Sequence, residues 1–348
     1  MIIGANFKRL FKHPLFLSGF LFIFLLLAAS FSHAIFFHGV IPVTNSLKDS
    51  EGLITSFGPF GPLEVPPLGT DEVGRHIFVI LIQGAKYTIG ISILVAGLRI
   101  IISGMIGFLF ENYFSKLNQY VSGLVNGFYF IPAALICYFL LVDVIFTSHG
   151  EVDGYTILQK MIFQLFVLTI VAIPTNSLLI GNQIHQIYTL EFIQSAKTLG
   201  GGRLHILKKH IIPYIFPQLL IQFTQETIKV LVLLIHLGFF HLLFGGTTEQ
   251  ELDESQNAYI SISSEWSGMI GNAFTHLTGW SWMFFSVTIF FTLVILAFNL
   301  MTKGMEDVFL VDRYKSGKDR KKRQKKITFV GKREDSSFEF IQDSEKQA

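Results

Sequence analysis

Residues 191–213 read EFIQSAKTLGGGRLHILKKHIIP, the most polar and most basic stretch between two long oily runs. Thr189 is placed to cap a helix whose first turn holds Glu191, and Phe192, Ile193, Ala196 and Leu199 recur along one face at helical spacing. Glu191, Gln194, Ser195, Lys197 and Thr198 fall mostly on the other face. Gly200, Gly201 and Gly202 end that helix, because glycine accepts the left-handed backbone favoured at a helix C-terminus. A second short helical segment, Arg203 to His210, precedes Pro213, where the next oily run begins. Taken alone, this helix, turn and helix suits either a protein partner or the surface of a bilayer, with Lys208 and Lys209 near anionic headgroups.

The flanking runs decide the setting. Hydrophobic residues make up 51% of the 348, Phe alone fills 37 positions, and charged residues are 15%, against about 25% in soluble proteins. Crossing the hydrocarbon takes roughly 20 apolar residues. Six segments qualify: 14–37, 86–110, 121–146 interrupted by Pro132, 161–182 interrupted by Pro174, 214–244 and 280–302. Lys8, Arg9 and Lys12 precede the first run as they would in a signal peptide. Its length and the lack of a small-residue cleavage site predict an uncleaved anchor.

Lys and Arg collect in cytoplasmic segments. With the N-terminus inside, those segments hold Lys8, Arg9 and Lys12, then Lys116, then Lys197, Arg203, Lys208 and Lys209, then the tail from Lys303. The stretch 245–279 carries Glu249, Glu251, Asp253, Glu254 and Glu265 and neither Lys nor Arg. The fold class read from these patterns is an all-α integral membrane protein with six transmembrane helices, both termini cytoplasmic, multi-pass in the cell membrane. Its parts are an N-terminal segment and first helix (1–37), an outer loop leading to the second span (38–85), a helical core (86–313) containing the cytoplasmic loop 189–213, and a charged tail (314–348).

Catalytic chemistry finds little support. There is no G-x-x-x-x-G-K-[ST], so no phosphate cradle for ATP. Cys137 is the single cysteine and lies in a span, which leaves no disulfide within the chain. The 11 histidines show no H-E-x-x-H or H-x-x-H pairing, and His205 and His210, five apart, fall off a common α-helical face. We therefore expect no catalytic residues, no metal site and no cofactor. Asp71 and Glu72 before Arg75 suit local caps and ion pairs.

Ionisable residues inside spans are sharper signals, since they are costly in hydrocarbon and usually face a bundle interior or water. Arg99 falls near the middle of the second span, Asp143 near the outer end of the third, and Glu226 with Lys229 within the fifth, three apart and able to pair along one face. Either a neutralised structural pair or the lining of a polar translocation path fits them. In the tail, Lys315 to Lys326 holds eight Lys or Arg against one Asp. Such a run is expected to be disordered, cytoplasmic and close to anionic lipid, and without a recognition fold it gives no reason to expect nucleic-acid binding.

With these segments in place, a resemblance emerges. FIQSAKTLGGGRLHILKKHIIP resembles the cytoplasmic EAA loop of ABC importer permeases, with Gln194, Ser195 and Ala196 at the EAA positions, Gly200 at the glycine and His210-Ile211-Ile212-Pro213 at the ending. PPLGTDEVGRHIFVILIQGAKYTIGIS (66–92) looks like the approach to the second span in the peptide and nickel permeases, while EWSGMI (265–270) and the run 280–307 look like the end of their C-type subunit. The sequence departs from that pattern at Gln194, His76 and Thr302-Lys303.

The resemblance implies the ABC importer permease fold. It also implies a homologous second permease subunit, two cytoplasmic ABC ATPase domains that hydrolyse the ATP, and an extracytoplasmic solute-binding protein docking on the outer loops. The cargo would be a peptide, a nickel chelate or a related small solute. By the same resemblance Phe192, Ile193, Gln194, Ser195, Ala196, Lys197, Leu199, Gly200 and Pro213 would couple ATPase closure to transport, whereas Arg99, Asp143, Glu226 and Lys229 are candidates for the path only by their charge within spans. Two other readings stay open: a transport-inactive scaffold or sensor of the same fold, suggested by the missing EAA glutamate, and an ion-coupled secondary transporter.

Overall fold

Apolar runs long enough to cross a bilayer must close their backbone hydrogen bonds internally, and here they do so as helices. The computed structural model describes the chain except residues 1–6, 50, 52, 114–117, 129, 146–154, 254, 255, 262 and 335–348. Its helices are α1 (Pro14–Phe36), α2 (Ile77–Tyr113), α3 (Asn118–Phe128), α4 (Ala133–Ile145), α5 (Ile157–Ile170), α6 (Ile173–Tyr188), α7 (Glu191–Thr198), α8 (Arg203–Ile206), α9 (Ile212–Phe239), α10 (Ser267–Thr275) and α11 (Ser281–Glu334). Among the described residues two antiparallel hairpins, β1 (Ser46–Lys48) with β2 (Ile54–Phe57) and β3 (Thr247–Asp253) with β4 (Gln256–Ser261), lie within the outer loop 38–85 and the acidic stretch 245–279.

Among the described residues four helical stretches are long and apolar enough to span: 14–36, 77–113, 203–239 and 281–309. The pairs α3/α4 and α5/α6 bend by 75° and 43°, and counting each pair as one span gives six. Proline dictates where these bends fall. Pro132 lies just before α4 and Pro174 opens α6, where a missing N–H costs nothing. Leu21, Phe24 and Leu25 stand about half exposed along α1, as a lipid-facing surface requires.

α2 is longer than its oily run: 37 residues extend roughly 55 Å at about 1.5 Å per residue, so its ends project beyond the hydrocarbon. Its start is held by a folded turn. Asp71 Oδ1 accepts the Val73 and Arg75 amides at 3.1 and 2.8 Å, and Arg75 Nε donates to Asp71 Oδ2 at 2.7 Å. These are the local caps and ion pair expected of Asp71 and Arg75.

Pro213 does not begin a separate helix. Residues 203–239 run as one helix through a π turn, Leu207–Ile211, in which the Ile212 amide reaches the Leu207 carbonyl five residues back. The wider turn also corrects the placement of the histidines, because a period above four puts i and i+5 on one side. The His205 and His210 rings lie 6.2 Å apart.

α2 and α6 cross at Gly107 and Gly181, so closely that a Cβ on Gly107 would collide with the Ser177 carbonyl and the Gly181 amide. One core gathers α1, α2, α9, α10 and α11 around Trp266, whose Nε1 donates to the Leu81 carbonyl at 2.7 Å. A second joins α2, α4, α5 and α9 around Val95, Leu141 and Leu234. α11 continues as helix through the basic run to Glu334, where the sequence suggested disorder, and 335–348 lie outside the described residues.

Candidate functional site

The α6–α9 connection packs on itself at one end of the bundle. Thr189 does not cap α7: it closes α6, its hydroxyl donating to the Gln186 carbonyl at 2.8 Å, and Leu190 takes the N-cap position without a side-chain cap. The other end of α7 is as the glycines predict. Gly200 sits at φ +85°, its amide donates to Lys197 and that of Gly201 donates to Ala196, the two bonds of a Schellman cap.

The apolar stripe on α7 is divided. Ile193 is fully buried against Ile180, Ile184, Ile187, Ile206, Ile211 and Ile215, with Ala196 half-buried, so these two are turned toward the chain's own core. Phe192 packs its ring 5.7 Å from Tyr214 and keeps 44% exposure, whereas Leu199 is 87% exposed at the tip. An eight-residue helix seated on two longer ones must spend one side of its surface on its own support. Leu204, 59% exposed on α8, is a further exposed apolar side chain of this connection and was missed in sequence, where it reads as the middle of a basic patch. Lys208 and Lys209 are exposed beside it.

Gln194, standing where the resemblance implies a glutamate, donates through Nε2 to the Tyr188 carbonyl at 2.8 Å, a bond an ionised carboxylate cannot make. Ser195 and Thr198 return their hydroxyls to the carbonyls of Glu191 and Gln194. Lys197 Nζ lies 4.4 Å over the Tyr188 ring, and the Tyr188 hydroxyl donates to Asn112 at the end of α2. α7 is thereby tied to the end of α6, which Tyr188 in turn ties to α2.

The charges inside the spans form a second cluster, larger than the pair expected. Glu226 accepts from Lys229 Nζ at 2.7 Å and from Arg99 Nη1 at 3.0 Å, and Arg99 also donates through Nε and Nη2 to the Leu168 carbonyl. Arg99 and Glu226 are buried, while the Lys229 side chain is 62% exposed. All three line a cavity of about 380 Å³ with Asn176 and Thr175. Asp143 is not part of it: the residue is exposed on α4 and outside the cavity lining. Among the described residues no group of three or more His, Cys, Asp or Glu could hold a metal ion.

At the opposite end of the bundle, the turn before α2 meets the start of α11. Trp282 Nε1 donates to the Thr70 carbonyl at 3.4 Å, and His276 Nε2 lies 3.7 Å from Glu72 Oε1. Burial first, and Asp71 second, push the Glu72 carboxyl up to about 7 against the opposing pull of Arg75.

Residues 100–308 match the family described as binding-protein-dependent transport system inner membrane component. The chain is 24% identical over 252 residues to a probable D,D-dipeptide transport system permease protein of Escherichia coli (strain K12), a match covering 72% of this chain and 74% of that protein. It is 22% identical over 240 residues to the dipeptide transport system permease protein of Bacillus subtilis (strain 168), covering 69% and 66%. It is also 22% identical over 240 residues to the oligopeptide transport system permease protein of the same organism, covering 69% of each.

Proposed function

Because the chain belongs to the family of binding-protein-dependent transport system inner membrane components, multi-pass membrane permeases rather than enzymes, we propose that it is the translocating subunit of an ATP-driven importer for peptides or related small solutes. Its relatives named as dipeptide and oligopeptide permeases support that cargo class. The partners are a homologous permease subunit, two cytoplasmic ATPase domains and an external solute-binding protein. The end bearing α7 faces the cytoplasm, in keeping with Lys197, Arg203, Lys208 and Lys209 there, and the basic run 315–326 lies along the inner leaflet.

One observation carries the coupling role. The exposed apolar side chains of α7 and α8 sit at the start of a continuous helix, 203–239, which also bears Glu226 and Lys229. A displacement applied at Arg203 acts through roughly 35 Å of helix, at about 1.5 Å per residue, on the wall of the charged cavity. Phe192 and Leu199 are the groups that enter an ATPase groove. Ile193 and Ala196 transmit the motion through the chain's own core, and Gln194 holds α7 to α6.

The test places a cysteine at Leu199 in a Cys137→Ala background and asks for a disulfide to a cysteine in the ATPase groove, alongside ATP-dependent uptake into proteoliposomes supplied with the binding protein. Cross-linking together with uptake is expected. Cross-linking without uptake under any condition would instead favour the transport-inactive scaffold. Uptake driven by an ion gradient without the ATPase would favour secondary transport.

A further inference from the structure

Lys229 is unusual in its surroundings. It sits near the middle of the apolar part of the helix 203–239, yet its side chain is 62% exposed. An ammonium at that depth does not face acyl chains; it faces water or a ligand. One of its three N–H groups goes to Glu226, and among the described residues the other two have no acceptor. Arg99, Glu226 and Lys229 sum to one net positive charge, and Arg99 and Glu226 are buried and committed to each other and to Leu168. The surplus charge is therefore presented at Lys229.

A second group points into the same space. Asn176, on α6, is buried and lines the cavity beside Glu226, toward which its carboxamide is turned as a hydrogen-bonding neighbour although no close bond of good geometry is made. A carboxamide nitrogen carries two N–H groups, so with one turned to Glu226 the other is left for an oxygen that arrives from outside the chain. Phe128, Ile131, Ile136, Val171 and Leu233 make the remaining walls apolar. At about 380 Å³ the cavity falls within the range of small-molecule sites, and through Lys229 and Leu233 it adjoins a larger apolar hollow of about 690 Å³ against α4 and α9.

We propose that Lys229 and Asn176 form a carboxylate subsite, in which an organic acid with apolar substituents places one carboxylate between the ammonium and the carboxamide. This deepens the importer reading and rests on it for the idea that the ligand is a solute in transit. Arg99 and Glu226 hold Lys229 in position without touching the ligand.

The experiment follows acylation of Lys229 by a water-soluble succinimidyl ester in the full-length protein in lipid nanodiscs, read by mass spectrometry of the Lys229 peptide. The probes are L-alanyl-L-alanine and its C-terminal amide. The dipeptide acid should protect Lys229 at concentrations roughly tenfold below those the amide needs, the factor that one charge-assisted hydrogen bond supplies. Asn176→Ala should erase much of that preference at an unchanged unfolding temperature. Equal protection by acid and amide, or no protection by either, overturns the proposal, and the wild-type protein alone decides this. A Lys229 already unreactive in the complex with the second permease subunit also overturns it, because its counter-charge would then come from that subunit. Protection without ATP-dependent uptake would keep the subsite and remove the importer, and uptake without protection would do the reverse.

Discussion

The Arg99 guanidinium and the Glu226 carboxylate, 127 positions apart in sequence, meet at 3.0 Å inside the helix bundle. Both are buried, so removing Glu226 leaves Arg99 without a counter-charge in a low dielectric, at a cost of about 3–5 kcal/mol, and removing Arg99 leaves Glu226 with only the solvated Lys229 as partner. Arg99→Met or Glu226→Gln alone should therefore lower the unfolding temperature in detergent sharply, and Arg99→Met with Glu226→Leu should recover most of the loss. Lys229→Met should cost little, because that side chain remains largely solvated. Equal destabilisation by Lys229→Met and Arg99→Met would contradict this ordering.

Glu72 predicts a pH dependence at the opposite end of the molecule. Its carboxyl titrates near 7 in the folded chain and near 4.5 when unfolded, so the folded state holds a proton that the unfolded state releases. Its contribution is fully present below about 4.5 and is lost as pH rises through about 7. The neighbouring charges are Asp71 and Arg75 on its own turn and His276 on the facing connection; burial lowers the His276 pKa, which acts in the opposite direction as pH falls below 6.5. Trp282, bonded to Thr70, reports on this contact. Glu72→Gln should flatten the change in Trp282 fluorescence between pH 5 and 8 seen against a Trp282→Phe control, and an unaltered profile would show that Glu72 does not govern it.

The spans and their breaks were legible because they rest on local chemistry: apolar length, and the missing N–H of Pro132 and Pro174. Gly200 was legible for the same reason, as a residue suited to positive φ. What failed to show is what tertiary contact decides. Glu226 pairs with Lys229 by helical spacing, and Arg99 stands out in the sequence as a charge within a span, but nothing in the sequence joins Arg99 to Glu226 across two helices. Ile193 and Leu199 belong to one apolar stripe but stand on its opposite edges, about 120° apart, and the isoleucine cluster beneath α7 takes one edge and leaves the other outside. The π turn hid the proximity of His205 and His210, since α-helical spacing separates them.

The three glycines after α7 should respond differently to substitution. Gly200 has open space around it, so Gly200→Val meets no neighbour and suffers only the left-handed backbone, about 1–2 kcal/mol for an L-residue, while Gly200→Asn is tolerated. At Gly201 a Cβ would stand 2.8 Å from the Ala196 carbonyl, so even Gly201→Ala disturbs the cap. Gly202 is the N-cap of α8 at φ −67° with nothing near it, and Gly202→Ser should be neutral or favourable. Amide exchange at residues 200–206, measured together with ATPase copurification, should rank Gly200→Val and Gly201→Ala well below Gly202→Ser. Three equal effects would remove the Schellman cap from the coupling argument.

Ile193 and Leu199 separate support from contact. Ile193 is fully buried among six isoleucines, so Ile193→Ala should cost about 2–5 kcal/mol and loosen α7 from α6 and α9. Leu199 is 87% exposed, and Leu199→Ala should change stability by no more than about 0.5 kcal/mol. If the exposed tip enters an ATPase groove, the harmless-looking change is the one that weakens docking directly: the Leu199→Ala protein should unfold at the wild-type temperature yet copurify with less ATPase, and Leu199→Ala combined with Leu204→Ala should lose more. The Ile193→Ala protein should lose docking only in proportion to its lost stability, and a lipid mixture that restores the one should restore the other. Full ATPase retention by the Leu199/Leu204 double variant would show that the partner does not read this apolar tip, and would move the contact to the basic π turn at Lys208 and Lys209.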